Sequence, residues 1–198
     1  MIIVLDNLLT PSYADALEYE VKELQYFYME QTSEYKNETP FFLTTPETKD
    51  YGQLSCSIMH KDETQVFRSN FFEHIIPILY YAQDKIQMKF TGIVRAKANI
   101  LLQQSTASPD HYNIPHQDSA ENNILSLVYY CNDSDGDIFL FNEFYTGTPP
   151  ERLTINQRIT PKKNRAVIFD STRYHAASNP IQTKARFVLN FVINNETL

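Results

Sequence analysis

The residues with the clearest chemical potential are His116 and Asp118, separated by Gln117, together with His175. Two imidazoles and one carboxylate on one side of a metal suit Fe(II) and leave coordination positions open for a cosubstrate and O₂. Arg186 follows shortly after the second histidine. A dicarboxylate cosubstrate would need a cation there that can form two parallel hydrogen bonds. A short His-x-Asp pair also arises by chance on protein surfaces. The question is therefore whether the fold can bring these four side chains together.

Two residues apart on a strand, His116 and Asp118 would share one face, and Pro115 favours an extended conformation at Ile114. His175 lies about sixty residues further on, past the apolar run Val167-Ile168-Phe169. Arg186 opens the pattern Arg186-Phe187-Val188-Leu189-Asn190-Phe191. By parity, Arg186, Val188 and Asn190 share one face and the three apolar partners share the other. An arginine on an inward face is costly unless it meets an anion. Lys184 has the same parity, so alternation alone does not choose between the two cations, and reversed parity would put Arg186 on the surface.

The elements needed to position these residues are legible as changes of period. Residues 2–6 read as a short strand. Thr10-Pro11 reads as an N-cap with proline at the first helical position, and Leu17, Val21, Leu24 and Tyr28 continue at helical spacing, predicting a helix from about Pro11 to Met29. Residues 31–52 are polar, with Pro40 and Pro46, and read as a loop of functional length. Val66, Phe67, Phe71, Ile75, Ile76, Leu79 and Ile86 predict a second helix over 66–87, which Pro77 should kink or split.

From Ile93 the pattern turns to strands, over 93–103, 114–118, 123–131, 137–142, 152–160, 165–170, 173–179 and 184–194. Their spacing suits an antiparallel barrel or sandwich. The expected fold is mainly β with flanking helices. A double-stranded β-helix (jelly roll) core packs against N-terminal helices, which cover Phe187, Leu189 and Phe191. The chain is expected to form a single domain over 1–198, with 1–92 as helical support and lid region and 93–194 as the jelly-roll core.

Other reactive residues have plainer readings. His60 and His74 fall in the helical half, and His111 lacks a second ligand at useful spacing. Asp133, Asp135 and Asp137 with Gly136 lack the glutamate and glycine placement of a calcium loop, and Asn132–Asp137 reads as a hairpin turn. Cys56 and Cys131 are too few for a disulfide framework, and Cys131 reads as a buried thiol.

At 42% hydrophobic and 13% aromatic residues the composition is that of a globular domain. No segment approaches the roughly 18 apolar residues of a membrane span, and the first residues lack the basic start of a signal peptide, so a soluble cytoplasmic protein is expected. A net charge of −7 argues against nucleic acid, whose binding depends on neutralising phosphates.

The site residues and their surroundings resemble the prolyl 4-hydroxylase-like branch of the 2-oxoglutarate and Fe(II)-dependent dioxygenases. Ser126-Leu127-Val128-Tyr129-Tyr130-Cys131-Asn132 with Gly136 is similar to the strand and turn that follow the family's His-x-Asp. Ile159 to Phe169 is similar to its Pro-x-x-Gly-Arg-hydrophobic-Phe run, and His175 and Arg186 follow in order. The likeness spans Arg95 to Asn194 and extends in style to oxygenase-fold proteins of tailed phages and marine bacteria, which implies a phage-encoded protein acting in a host cytoplasm.

The resemblance implies Fe(II) held by His116, Asp118 and His175, and 2-oxoglutarate and O₂ as cosubstrates, with ascorbate as an optional reductant. Arg186 would pair with the distal carboxylate of 2-oxoglutarate, Tyr130 would hydrogen-bond it, and Asn190 would lie beside it. The implied activity is hydroxylation of an unactivated C–H, on a peptide or protein proline or on a small molecule, with release of succinate and CO₂. Asn164 stands where the family carries glycine, a position that a left-handed turn lets asparagine fill. The usual contacts before His116 are missing from 103–113, leaving Gln103 and Tyr112 as candidates. Two other classes remain: a non-catalytic jelly-roll structural or binding protein with a vestigial metal site, and a cupin-type metal enzyme.

Overall fold

Apolar runs buried on both faces in the second half of the chain, joined by four strands from the first half, build two antiparallel sheets that face each other as a jelly roll. The computed structural model describes residues 1–32, 45–62, 64–148 and 150–196. Residues 33–44, within the expected 31–52 loop, lie outside them. The elements run in the order β1 (Ile2–Leu5), α1 (Pro11–Lys22), β2 (Phe27–Met29), β3 (Gln53–Lys61), β4 (Val66–Arg68), α2 (Phe72–Ile86), β5 (Phe90–Leu102), β6 (Ile124–Tyr130), β7 (Ile138–Phe144), β8 (Ile155–Ile159), β9 (Arg165–Asp170), β10 (Arg173–Ala177) and β11 (Ala185–Asn195). The major sheet has the order β1-β9-β6-β11-β5-β3-β2, with β4 also paired to β3, and the minor sheet has the order β10-β7-β8.

Strand parity sorts the major sheet into two cores. Leu127, Tyr129, Ile168, Leu189 and Phe191 point toward the helices and pack with Leu17 and Val21 of α1 and Ile75 and Ile78 of α2. Val128, Tyr130, Val167, Phe169 and Val188 point the other way, onto Ile138 and Leu140 of the minor sheet. The expected helical cover over Phe187, Leu189 and Phe191 is therefore present.

The first half of the chain departs from expectation in three places. α1 stops at Lys22 instead of continuing to Met29, because Phe27–Met29 pairs in register with Gln53–Ser55. Leu24 and Tyr26 keep their contact with the helix-side core without helical backbone. Residues 66–68 form an edge strand on β3, with Phe67 opposite His60, and the second helix begins only at Phe72. β3, for which the sequence predicted no element, is a nine-residue strand that pairs with β5. The region 1–92 thus contributes four strands as well as its helices. His60 accordingly lies on a strand.

Pro77 does not split α2. It removes one backbone donor, and a continuous apolar face of Phe72, Ile75, Ile78, Leu79 and Ala82 holds the helix across it. Gln87 ends the helix in the left-handed conformation, at φ 56°.

Residues 132–137 are not a hairpin turn. They carry the chain from β6 in the major sheet to β7 in the minor one. Asp135 accepts hydrogen bonds from the amides of Ile181, Gln182 and Thr183 and from the Thr183 hydroxyl. Gly136 passes so close to the neighbouring chain that a Cβ would sit 2.5 Å from the Ser178 carbonyl. The aspartates between β6 and β7 thus tie loops together.

Candidate active site

His116 and His175 are brought together by backbone. They form an isolated antiparallel bridge in which each amide donates to the other's carbonyl at 2.9 Å. This bridge replaces the strand expected over 114–118. Asp118 reaches the same side by a different route, its amide donating to the Ser171 carbonyl at 3.0 Å. One ligand atom from each of His116, Asp118 and His175 lies within 4.8 Å of the others, an arrangement able to hold a metal ion.

The imidazoles are oriented for this. The Nδ1 atoms of His116 and His175 lie 3.1 Å from the carbonyls of Ile114 and Arg173. A carbonyl only accepts, so each Nδ1 carries a proton, and Nε2 is the nitrogen of each ring left to bind a metal. His175 is buried, and burial together with the neighbouring His116 pushes its pKa down to about 4, so it is neutral at physiological pH. The Nε2 of His175 lies 3.6 Å from Oδ2 of Asp118.

Asp118 is held at both oxygens. Nη2 of Arg95 donates to Oδ1 at 2.5 Å and the Ser126 hydroxyl donates to Oδ2 at 2.6 Å, with the Ser171 hydroxyl 2.9 Å from that of Ser126. Burial alone would raise the carboxyl pKa. Arg95, the two imidazoles and Ser126 outweigh it and hold the group ionised, well below the usual carboxylate range.

Arg95 and Ser126 belong to the site although no motif in the sequence assigns them a role. A signal existed: Ala96 and Ala98 face the helices, so Arg95, Lys97 and Asn99 have the inward parity of β5.

Arg186 points inward and is 4% exposed, whereas Lys184 is exposed, which settles the choice that alternation left open. Arg186 forms no ion pair with a carboxylate among the described residues, and its Nε has no hydrogen-bond partner. Its guanidinium carbon stands 5.2 Å from the Tyr130 ring centroid. The Tyr130 hydroxyl and the Asn190 amide oxygen are likewise buried without partners.

A cavity of about 60 Å³ is lined by His116, His175, Arg186 and Asn190, together with Thr32, Gln53, Asn99, Leu101, Val128 and Val188 among others. Gln103 and Tyr112 do not line it. Gln103 binds the carbonyl of Ile181, and Tyr112 packs against Phe139 and Phe141. A buried cation with an unpartnered Nε, lining a cavity that reaches two imidazoles and flanked by the unpartnered Tyr130 hydroxyl, fits an anionic metal chelator.

Residues 102–194 match the family model of the 2OG-Fe(II) oxygenase superfamily. That segment contains His116, Asp118, His175, Arg186, Tyr130 and Asn190. The match spans just under half of the chain and, with the assembled His116, Asp118 and His175, supports an enzyme of the 2OG-Fe(II) oxygenase type with Fe(II) as cofactor and 2-oxoglutarate as cosubstrate.

No curated protein matches the chain by sequence. Among solved structures it is similar to an oxidoreductase of the 2OG-Fe(II) oxygenase family from Burkholderia pseudomallei, at a TM-score of 0.62 and 14% identity over 98% of this chain and 85% of that one. A prolyl hydroxylase from Trichoplax adhaerens, in complex with a hypoxia inducible factor oxygen degradation domain peptide fragment, matches at a TM-score of 0.60 and 14% identity, over 98% and 83%. The non-heme alpha ketoglutarate dependent epimerase SnoN from nogalamycin biosynthesis matches at 0.63 and 10%, over 99% and 79%. At such identities these likenesses establish the fold.

Proposed function

We propose that this chain is a single-domain dioxygenase that hydroxylates an unactivated C–H. His116 and His175 would bind Fe(II) through Nε2 and Asp118 through one carboxylate oxygen. The observation that carries this reading is the convergence of those three ligands beside a cavity that also exposes Arg186. When bound, iron with 2-oxoglutarate and O₂ supplies the oxidising power for the hydroxylation and yields succinate and CO₂.

The remaining work falls to the protein. Arg186 would hold the distal carboxylate of 2-oxoglutarate through paired hydrogen bonds, and the Tyr130 hydroxyl would donate to the same carboxylate. Asn190 would contribute its amide beside them. The first two contacts would meet the unpartnered Arg186 Nε and Tyr130 hydroxyl; at Asn190 the carboxylate would be met by the amide NH₂. Val128, Val188 and Leu101 narrow the cavity and limit water around the reacting atoms. The carbonyls of Ile114 and Arg173 fix the imidazole tautomers, and Arg95 keeps Asp118 ionised.

For the substrate, we infer a prolyl 4-hydroxylase-like role on a peptide or protein proline, with a small molecule as the alternative. Support for the first comes from the prolyl hydroxylase neighbour solved with a peptide, and for the second from the epimerase of nogalamycin biosynthesis. A cytoplasmic setting accords with the absence, among the described residues, of any helix long and apolar enough to cross a membrane. The family match and the assembled ligand set favour this reading over a vestigial site. The test is 2-oxoglutarate turnover, followed as succinate, with a proline-peptide library and a small-molecule panel as substrates. Substrate-stimulated succinate release that Asp118→Ala abolishes is the expected result, and full turnover by Asp118→Ala would reject the assignment.

A further inference from the structure

An aspartate can bind a metal through one oxygen or through both. On a six-coordinate ion, two imidazoles and a single carboxylate oxygen leave three positions, enough for a two-point chelator and one further ligand. A carboxylate that swings round to bind through both oxygens takes one of those positions.

Asp118 is 3% exposed at its side chain, and its Oδ1 is taken by Nη2 of Arg95 at 2.5 Å. Oδ2 is the oxygen that faces the Nε2 of His175, at 3.6 Å, with the Ser126 hydroxyl on its other side. We propose that Arg95 is a positioning residue that makes Asp118 a one-oxygen ligand. By occupying Oδ1 it leaves only Oδ2 for the metal and keeps the last coordination position open. This inference rests on the metal-site reading above and assigns a role to a residue on a strand that carries none of the proposed ligands.

The placement of Arg95 suits the task. β5 is an interior strand, with Arg95 opposite Val192 of β11 on one side and His60 of β3 on the other, so its backbone is held from both directions. The side chain is 28% exposed and its buried Nε has no partner, so the contact with Asp118 is its strongest tie among the described residues. A guanidinium has a fixed planar array of donors, whereas a lysine ammonium in the same place would be a mobile point charge. Hydrogen-bond partners that orient a metal ligand typically matter by roughly 10–100-fold in metal affinity or activity.

The experiment compares the full-length wild type with Arg95→Met, Arg95→Lys and Asp118→Ala, each stripped of metal and titrated anaerobically with Fe(II) by calorimetry. Saturating 2-oxoglutarate is then added and the visible charge-transfer band recorded. Arg95→Met is expected to bind Fe(II) roughly 10–100-fold more weakly and, at saturating iron, to show a shifted or weakened band. Arg95→Lys should recover part of the affinity. A folded Arg95→Met with wild-type affinity and an unchanged band overturns the inference. If it does not fold, Arg95→Gln replaces it under the same two criteria. Asp118→Ala separates the failures: wild-type Fe(II) binding there defeats the metal-site reading itself, whereas neutral Arg95 variants beside a metal-free Asp118→Ala defeat only the role of Arg95.

Discussion

His116 and His175 face each other across one antiparallel bridge, with ring centroids 4.4 Å apart. Main-chain hydrogen bonds therefore set the distance between the two imidazoles, and the side chains can be removed without removing the bridge. His116→Ala and His175→Ala are each expected to abolish succinate formation while leaving the far-UV circular dichroism of the protein unchanged. Loss of the folded signal together with activity would show that the rings hold the fold as well as the metal.

Arg186 should separate cosubstrate binding from stability. Hydrogen bonds to charged groups contribute about 1.5–3 kcal/mol, so Arg186→Met should raise the KM for 2-oxoglutarate by roughly 10–150-fold. In the absence of 2-oxoglutarate, the same variant exchanges a buried, incompletely partnered cation for an apolar side chain. Such replacements are often neutral or stabilising, so its Tm without cosubstrate should equal or exceed that of the wild type. Steady-state kinetics with varied 2-oxoglutarate and thermal melts check the two halves independently.

Asn164 does more than tolerate the left-handed conformation that the family fills with glycine. At φ 64° its side chain accepts from the Leu9 amide and donates to the Leu9 carbonyl, both at 2.8 Å, and the Tyr129 hydroxyl donates to it at 3.2 Å. It pins the segment before α1 to the start of β9. Asn164→Gly keeps the backbone conformation and strands buried polar groups, which cost about 1–3 kcal/mol each. Urea denaturation should show the variant less stable by about 2–4 kcal/mol, with Asn164→Ala lower still because it adds left-handed strain.

Asp135 gives the fold a pH dependence of its own. Burial opposes its ionisation, but the amides of Ile181, Gln182 and Thr183 and the Thr183 hydroxyl bring its pKa down to about 2. A depressed folded-state pKa stabilises above the unfolded value, near 4, and that stability is lost as pH falls through about 2. Allowing for solvent screening at this partly exposed position, the contribution is about 1 kcal/mol at neutral pH. Asp135→Asn should be less stable at pH 7, and its deficit should shrink between pH 4 and pH 2 in parallel urea titrations.

The strands that form the centre of the fold were legible because their patterns are strong. β6, β9 and β11 alternate large apolar residues toward both cores, so parity separates Leu189 and Phe191 from Arg186 and Asn190, and the helices cover the first face. β3 was invisible because Gln53–Lys61 mixes polar and apolar residues, and its place comes from pairing with β5 rather than from its own composition. Helical spacing overextends α1 because Leu24 keeps the period while the chain leaves the helix to pair Phe27–Met29 with β3.

The site shows the same division. His116 and Asp118 were grouped on one face by strand parity, but they meet through one bridge and one loop hydrogen bond. Inward parity is the one cue to Arg95 in the sequence, since the carboxylate it meets arrives from a loop beyond β5.

The most direct test of the central claim is an anaerobic titration of the metal-free protein with Fe(II) and then 2-oxoglutarate, followed in the visible range. Binding of both at His116, Asp118, His175 and Arg186 predicts a weak metal-to-ligand charge-transfer band that requires both additions and is lost in Asp118→Ala. A folded wild-type protein that gives no such band, or an Asp118→Ala protein that keeps it, would contradict the account.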